Sequence, residues 1–252
     1  MPPHQGTLAN ITERETTELA TDPMRASAKR TISVDNVLFG CEDGALKVLL
    51  IKHGSGESLG HWGLPGDWLQ ADENLETAAV RVLRARAGLD DIVLEQLQSF
   101  SSLDRYPGER TITTAFYALI RPDEYLLAQG QDELGVAWFT VSEMPELIFD
   151  HAKIVNWAIA RLRHKVQHEP VGLDLLPKKF TLLELQRLYE ALLGTALDKP
   201  NFRRKITKMN ILNDCNEKQR GAAHRAASLF SFNQERYEQL SNDAFIRPDS
   251  SH

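Results

Sequence analysis

The stretch GLPGDWLQADENLETAAVRVLRARAGL, residues 63–89, decides how the chain is read. It opens with Gly63, Pro65 and Gly66, residues that turn a backbone rather than continue it, and then passes into a helical pattern. Leu75, Ala78, Ala79, Val82 and Leu83 recur at spacings of three and four, and Gly88 stands just past them. That spacing predicts an amphipathic helix over 75–87, closed by the glycine. Val82, Ala85 and Arg86 fall at i, i+3 and i+4, so they share one helical face. That face is apolar and cationic.

Short strands surround this unit. Residues 34–41 form a largely apolar run ended by Glu42-Asp43-Gly44, an Asp-Gly turn signal, with 46–51 as its hairpin partner. Residues 111–120 and 137–139 read as further strands, with a weaker pattern over 92–99. Ile154, Trp157, Ala158 and Leu162 mark a second helix over 151–166. Strands alternating with one or two helices indicate a mixed α/β domain, assigned to residues 29–168. Residues 1–28, rich in Thr, Glu, Ala and Pro, read as a disordered tail, and 169–179 as a linker.

Beyond the linker the style changes. Thr181 and Glu184 form a T-x-x-E capping pair that opens an apolar helix over 182–193, and Gly194 closes it. Asp198 is the expected N-cap of the next helix, with Pro200 tolerated in its first turn. Five residues from Asp198 to Met209 are basic, and none from Lys199 to Met209 is acidic. Phe202, Ile206 and Met209 predict a buried stripe, leaving basic side chains on other faces. Short strands at 211–212 and 228–232 enclose a polar loop over 214–221, and a last helix is expected over 234–240. The order capped helix, turn, basic helix, wing predicts a winged helix-turn-helix domain over 180–252. Lys199, Asn201, Arg203, Arg204, Lys205 and Lys208 would meet DNA from the helix, and Lys218, Arg220 and Arg225 from the wing. Arginine favours guanine and asparagine favours adenine in the major groove, while Lys199, Lys218 and Arg225 suit phosphates. The bland alternative is a solvated basic helix in a protein-interaction domain.

Charge points the same way. The chain of 252 residues has a net charge of −6, but residues 175–252 hold 13 Lys/Arg against 9 Asp/Glu, and residues 1–174 hold 16 against 26. A basic C-terminal portion on an acidic chain suggests that only this portion meets a polyanion. The two cysteines, Cys41 and Cys215, lie far apart, which disfavours a disulfide scaffold and fits a reducing, cytoplasmic setting. No apolar run approaches the roughly 20 residues that span a bilayer, and the N-terminus lacks a secretory apolar stretch.

Residues 63–89 resemble the Nudix box, whose pattern is G-x5-E-x7-R-E-U-x-E-E-x-G-U with U aliphatic. Asp67 stands for the opening glycine, Glu73 matches the first glutamate, Arg81 the arginine, Leu83 the aliphatic, and Gly88-Leu89 the end. Leu64-Pro65-Gly66, Trp138-Phe139 and Glu143-Met144-Pro145 resemble the family's flanking segments, and the likeness spans about residues 31–165. The family's three helix glutamates fall on Val82, Ala85 and Arg86. In active members those glutamates hold Mg²⁺, a hard cation that wants oxygen ligands. The resemblance therefore implies a fold kept without its metal, with neither a resident cofactor nor hydrolysis. Glu73 and Glu76 remain, and a metal site rebuilt from Glu109 or Glu133 is the alternative.

The two halves together resemble the Nudix-related transcriptional regulators, bacterial repressors of NAD-biosynthesis genes. Phe149-Asp150-His151-Ala152, the segment from Phe180 to Gln186, and Asn201-Phe202-Arg203-Arg204-Lys205 carry that likeness. It implies an α/β fold, a Nudix-like mixed-sheet α/β/α domain followed by a winged helix-turn-helix domain. It also implies a homodimer on operator DNA, with ADP-ribose or a related nucleoside diphosphate as effector. In the sensing pocket Arg86 would pair with a diphosphate, Lys52, Arg105 and Arg110 would add charge, and Trp62 or Tyr106 would stack on a base. Three other readings compete. One is an active ADP-ribose pyrophosphatase with an accessory domain, another a regulator of a sugar-catabolism operon, and the third a ligand-binding adaptor.

Overall fold

The structure, a computed structural model, describes residues 31–131, 133–168, 171, 175–219 and 226–239. The expected tail over 1–28, much of the linker, and the wing residues Arg220 and Arg225 lie outside the described residues.

Strand β1 (Thr31–Glu42) is buried on both faces because it runs through the middle of the sheet, parallel to β6 (Thr111–Ile120). Strand β2 (Ala45–His53) turns back on it through Asp43 and Gly44, both at positive φ (53° and 74°), as a two-residue hairpin requires. The hairpin then splays. Beside Ser33, Val34 and Asp35 the place of β2 is taken by β4 (Gly66–Trp68), and beside Ile51 and Lys52 the place of β1 is taken by β3 (Trp62–Gly63). The turn-rich start of the opening segment therefore fills the split between two core strands. Strand β7 (Glu133–Thr140) pairs with the other side of β2, and β5 (Glu95–Phe100) with the other side of β6.

Helix α1 (Leu75–Ala87) covers one face of the sheet and α2 (His151–His168) the other. Val34 and Leu38 of β1 cluster with residues of α1, while Val37 and Phe39 cluster with α2, the period of two expected of a strand. Asn74 caps α1 by accepting the Thr77 N–H at 2.8 Å. Gly88 ends it at φ 70°, where a Cβ would lie 2.5 Å from the Ala128 methyl.

The second unit consists of β8 (Phe180–Thr181), α3 (Leu182–Leu193), α4 (Lys199–Met209), β9 (Leu212–Lys218), β10 (Ser228–Phe232) and α5 (Gln234–Gln239), with an antiparallel sheet ordered β8-β10-β9. The capping box at Thr181 and Glu184 is formed in both directions. One expectation needs correction: residues 214–218, read as loop, continue β9. They are polar and mostly exposed, so no alternation betrays a strand. Pairing with β10 holds it, across a register shift that falls at Cys215 and Asn216, the latter at φ 54°.

The two units share one core. A single buried cluster runs from Val37, Phe39 and Leu50 of the sheet through Ile154, Ala158, Leu162 and Val166 of α2. It continues into Leu185, Leu188 and Leu192 of α3 and Phe202 and Ile206 of α4. Among the described residues no helix is long and apolar enough to cross a membrane.

Candidate ligand cavity and nucleic-acid interface

The split between β1 and β2 opens onto a cavity of about 280 Å³. Ser33 and Asp35 of β1, the segment Gly66-Asp67-Trp68, His53, Arg86, Arg105, Tyr106, Phe149 and His151 line it. Gly66 is required by close approach, since a Cβ there would stand 2.1 Å from Asp35 Oδ1.

Asp35 is buried and fully engaged. It accepts from Thr113 Oγ1 at 2.7 Å and from Arg105 Nη2 at 3.4 Å, with His151 Nε2 at 3.6 Å. His151 Nδ1 accepts the Leu64 N–H at 2.9 Å, which puts the neutral ring's proton on Nε2, toward Asp35. Burial lowers the pKa of His151, with Asp35 and Asp150 opposing that shift. Arg105 also donates to both oxygens of Asp150, at 2.9 and 3.3 Å, and its side chain is only 4% exposed. This arginine is held by protein carboxylates rather than presented to solvent. Burial, then the neighbouring His151 and Arg86, pushes His53 down to about 4, so it is neutral near pH 7.

One wall is aromatic. Tyr106 lies between Trp68 and Phe149, with ring centroids 5.3 and 4.8 Å away, and Phe149 reaches His151 at 5.8 Å. Trp68 and Phe149 remain 37% and 36% exposed, a surface on which a planar ring can stack. Sequence reasoning selected Trp62 and missed these two. Trp62 packs edge-on against Phe139 at 4.7 Å and does not line the cavity. The available signal was that Trp68 shares its strand face with Gly66, the residue paired with Asp35 between β4 and β1.

Arg86 reaches Glu133 Oε1 at 2.5 Å and Asp67 Oδ1 at 3.5 Å. Asp67 in turn meets Arg81 at 3.1 Å, and Arg81 donates twice to Glu73, which lowers the Glu73 pKa. Arg86 and Asp67 face both the cavity and an adjoining cleft of about 370 Å³, whose other lining residues are Ala85, Gln131 and Glu133. This donor set does not fit a divalent ion of the Nudix type. Val82 is buried in the apolar core, Ala85 offers no side-chain oxygen, and Arg86 puts a guanidinium on the two carboxylates present. Among the described residues no group of three or more His, Cys, Asp or Glu is arranged to hold a metal.

Of the six ligand-binding residues expected from sequence, Arg86, Arg105 and Tyr106 line the cavity, and Lys52, Trp62 and Arg110 do not. Lys52 lies in β2 opposite Gly135 of β7 and Trp62 of β3, and Arg110 donates to the Ser101 and Ser102 carbonyls, stapling its own loop.

On α4, Phe202 and Ile206 are buried, while Lys199, Arg203, Arg204 and Lys208 are exposed and Asn201 and Lys205 half-buried. Arg204 donates to Asn201 Oδ1 at 2.6 Å. Lys218 is exposed at the end of β9, opposite Ser228. Lys199, Arg203, Arg204 and Lys208 are the exposed cations of this helix.

The family model for the NUDIX domain matches residues 29–158, and that for the NrtR DNA-binding winged helix domain matches residues 172–232. The ADPR responsive transcriptional repressor NtrR of Acinetobacter baylyi is 32% identical over 211 residues, 82% of this chain and 84% of that protein. The ADP-ribose pyrophosphatase of Methanocaldococcus jannaschii is 34% identical over 110 residues, 44% of this chain and 64% of that protein. NrtR of Shewanella oneidensis, crystallised with a 27mer DNA, superposes with a TM-score of 0.66 at 29% identity, covering 86% of this chain and 98% of that one. Its NUDIX domain, cocrystallised with ADP ribose, gives a TM-score of 0.50 at 32% identity over 59% of this chain and 98% of that one. Two family matches in this order, and a repressor relative aligned across both, leave one assignment: the chain belongs to the Nudix-related transcriptional regulators.

Proposed function

We propose that the chain is a cytoplasmic, homodimeric repressor of NAD-biosynthesis genes that binds operator DNA through α4 and the wing. Its Nudix domain senses ADP-ribose, or a related nucleoside diphosphate, and does not hydrolyse it. One observation carries this reading: the cavity and the basic helix are joined by a continuous buried core. Helix α2 begins in the cavity wall at His151 and shares a buried cluster with α3 and α4. A ligand that reorders the start of α2 therefore acts on the winged helix through packed side chains. Its effect equals its differential affinity for the DNA-competent and DNA-incompetent arrangements, and the coupling is reciprocal.

The cavity suits such a ligand. Trp68, Tyr106 and Phe149 offer stacking surface for a base, and Arg86, also in the lining, offers a cation for a diphosphate. Lys199, Asn201, Arg203, Arg204, Lys205 and Lys208 are the helix residues assigned to DNA, with Lys218 on the wing. Anisotropy titrations of a promoter duplex from the chain's own operon test this, since a phosphate-contacting helix loses affinity steeply with salt.

The likeness to an ADP-ribose pyrophosphatase favours a second reading, an active hydrolase with an accessory domain. Val82, Ala85 and Arg86 argue against it, because they remove the carboxylates on which that chemistry depends. Turnover of ADP-ribose with Mg²⁺ on the order of 1 s⁻¹ would establish the hydrolase and displace the sensor.

A further inference from the structure

We propose that the Arg86 guanidinium is a tethered cation standing in for a divalent ion, so that effector binding by this chain needs no metal. The effector half of this statement rests on the function proposed above; the cation half does not.

Arg86 occupies the boundary between the cavity and the adjoining cleft, with Asp67 and Glu133 as its carboxylate partners. The Glu133 side chain is completely buried, and its Oε2 has no partner among the described residues. A buried carboxylate with an open oxygen demands a nearby cation, and Arg86 supplies it from the α1 position that should carry a metal-binding acid. Glu133 cannot easily swing away. Gly130 N–H donates to the Arg86 carbonyl at 3.3 Å, and a Cβ on Gly130 would stand 2.5 Å from the Ala85 carbonyl, so this segment lies directly on the helix end. The ions alternate in a row, Glu133, Arg86, Asp67, Arg81, Glu73. Removing Arg86 would leave Asp67 and Glu133 bordering one cleft without a cation between them, a pair of hard oxygen donors.

The test uses the full chain and Mn²⁺ alone, read from the free-ion signal in electron paramagnetic resonance. Wild type and Arg86→Lys should leave Mn²⁺ free. Arg86→Ala should take up one equivalent, Arg86→Gln serving if the alanine variant fails to fold, and a further Glu133→Gln should abolish the uptake. In calorimetry, wild-type affinity for ADP-ribose should be equal in EDTA and in Mg²⁺. Arg86→Ala should weaken it by about tenfold in EDTA and recover it in Mn²⁺. Uptake of Mn²⁺ by wild type, or none by either neutral variant, overturns the proposal. Absence of ADP-ribose binding by wild type in both buffers sinks the effector assignment instead, and the Mn²⁺ result still decides the role of Arg86.

Discussion

Arg105 illustrates how a site can differ from its local sequence. In the chain it is a loop arginine between Asp104 and Tyr106, the kind of residue read as a free cation for a ligand. Its carboxylate partners are 45 and 70 residues away, so nothing nearby signals that it will be buried between Asp150 and Asp35. Removing one member of a buried charged cluster strands the others, so Arg105→Ala should cost roughly 3–5 kcal/mol in urea unfolding. A cost below about 1 kcal/mol, the range of exposed pairs, would make it a surface residue available to a ligand. His53 gives a pH signature. Its folded pKa, about 4, lies below the ordinary 6.5, and that of His151 is also lowered. Between these values the unfolded chain binds protons that the folded chain refuses, so stability is full above pH 6.5 and falls as the pH drops toward 4. The melting temperature should therefore decline from pH 7 to pH 5, and by less in His53→Gln. An equal decline in both would assign the pH dependence to other groups.

At the scale of elements, legibility followed capping and periodicity. The expected helices over 75–87 and 182–193 match α1 and α3 residue for residue, because apolar spacing with Gly88, and Thr181 with Gly194, write their bounds into the sequence. Strands were readable where a core face imposed apolar residues, as in β1, β2 and β6. Strand β9 was not, because its side chains face mostly water and its stability comes from pairing with β10. The two- and three-residue strands β3 and β4 were also hidden, being too short for any period, yet β4 supplies Gly66, Asp67 and Trp68 to the cavity lining. Helix α4 was readable as a basic amphipathic helix, and its buried face, Phe202 and Ile206, leaves Lys208 exposed. If Lys208 meets a phosphate, Lys208→Ala should weaken binding alike on every DNA sequence and reduce the slope of log affinity against log salt by about 1. An unchanged slope would take Lys208 out of the interface.

Across the whole molecule, the sequence divides the chain into two units, but the structure joins them through α2 and α3. Leu162 lies at that joint, buried within the common cluster. The described body should therefore unfold in one cooperative transition. Leu162→Ala should lower stability by roughly 2–5 kcal/mol and weaken the response of DNA binding to ligand. Two separate calorimetric transitions in the wild type would mean that the shared core does not couple the units. No sequence period announces this joint, because the residues that form it also satisfy the ordinary amphipathic pattern of each helix. The junction matters for function because the wall of the cavity and the support of the basic helix are parts of one packed structure.

The most direct measurement is the anisotropy of a labelled promoter duplex titrated with the protein in EDTA, with and without saturating ADP-ribose. A sensor that works without metal should change its operator affinity by about tenfold or more, with the ADP-ribose recovered intact afterwards. Superimposable binding curves, or ADP-ribose cleaved once Mg²⁺ is restored, would contradict recognition without hydrolysis as the working principle of this protein.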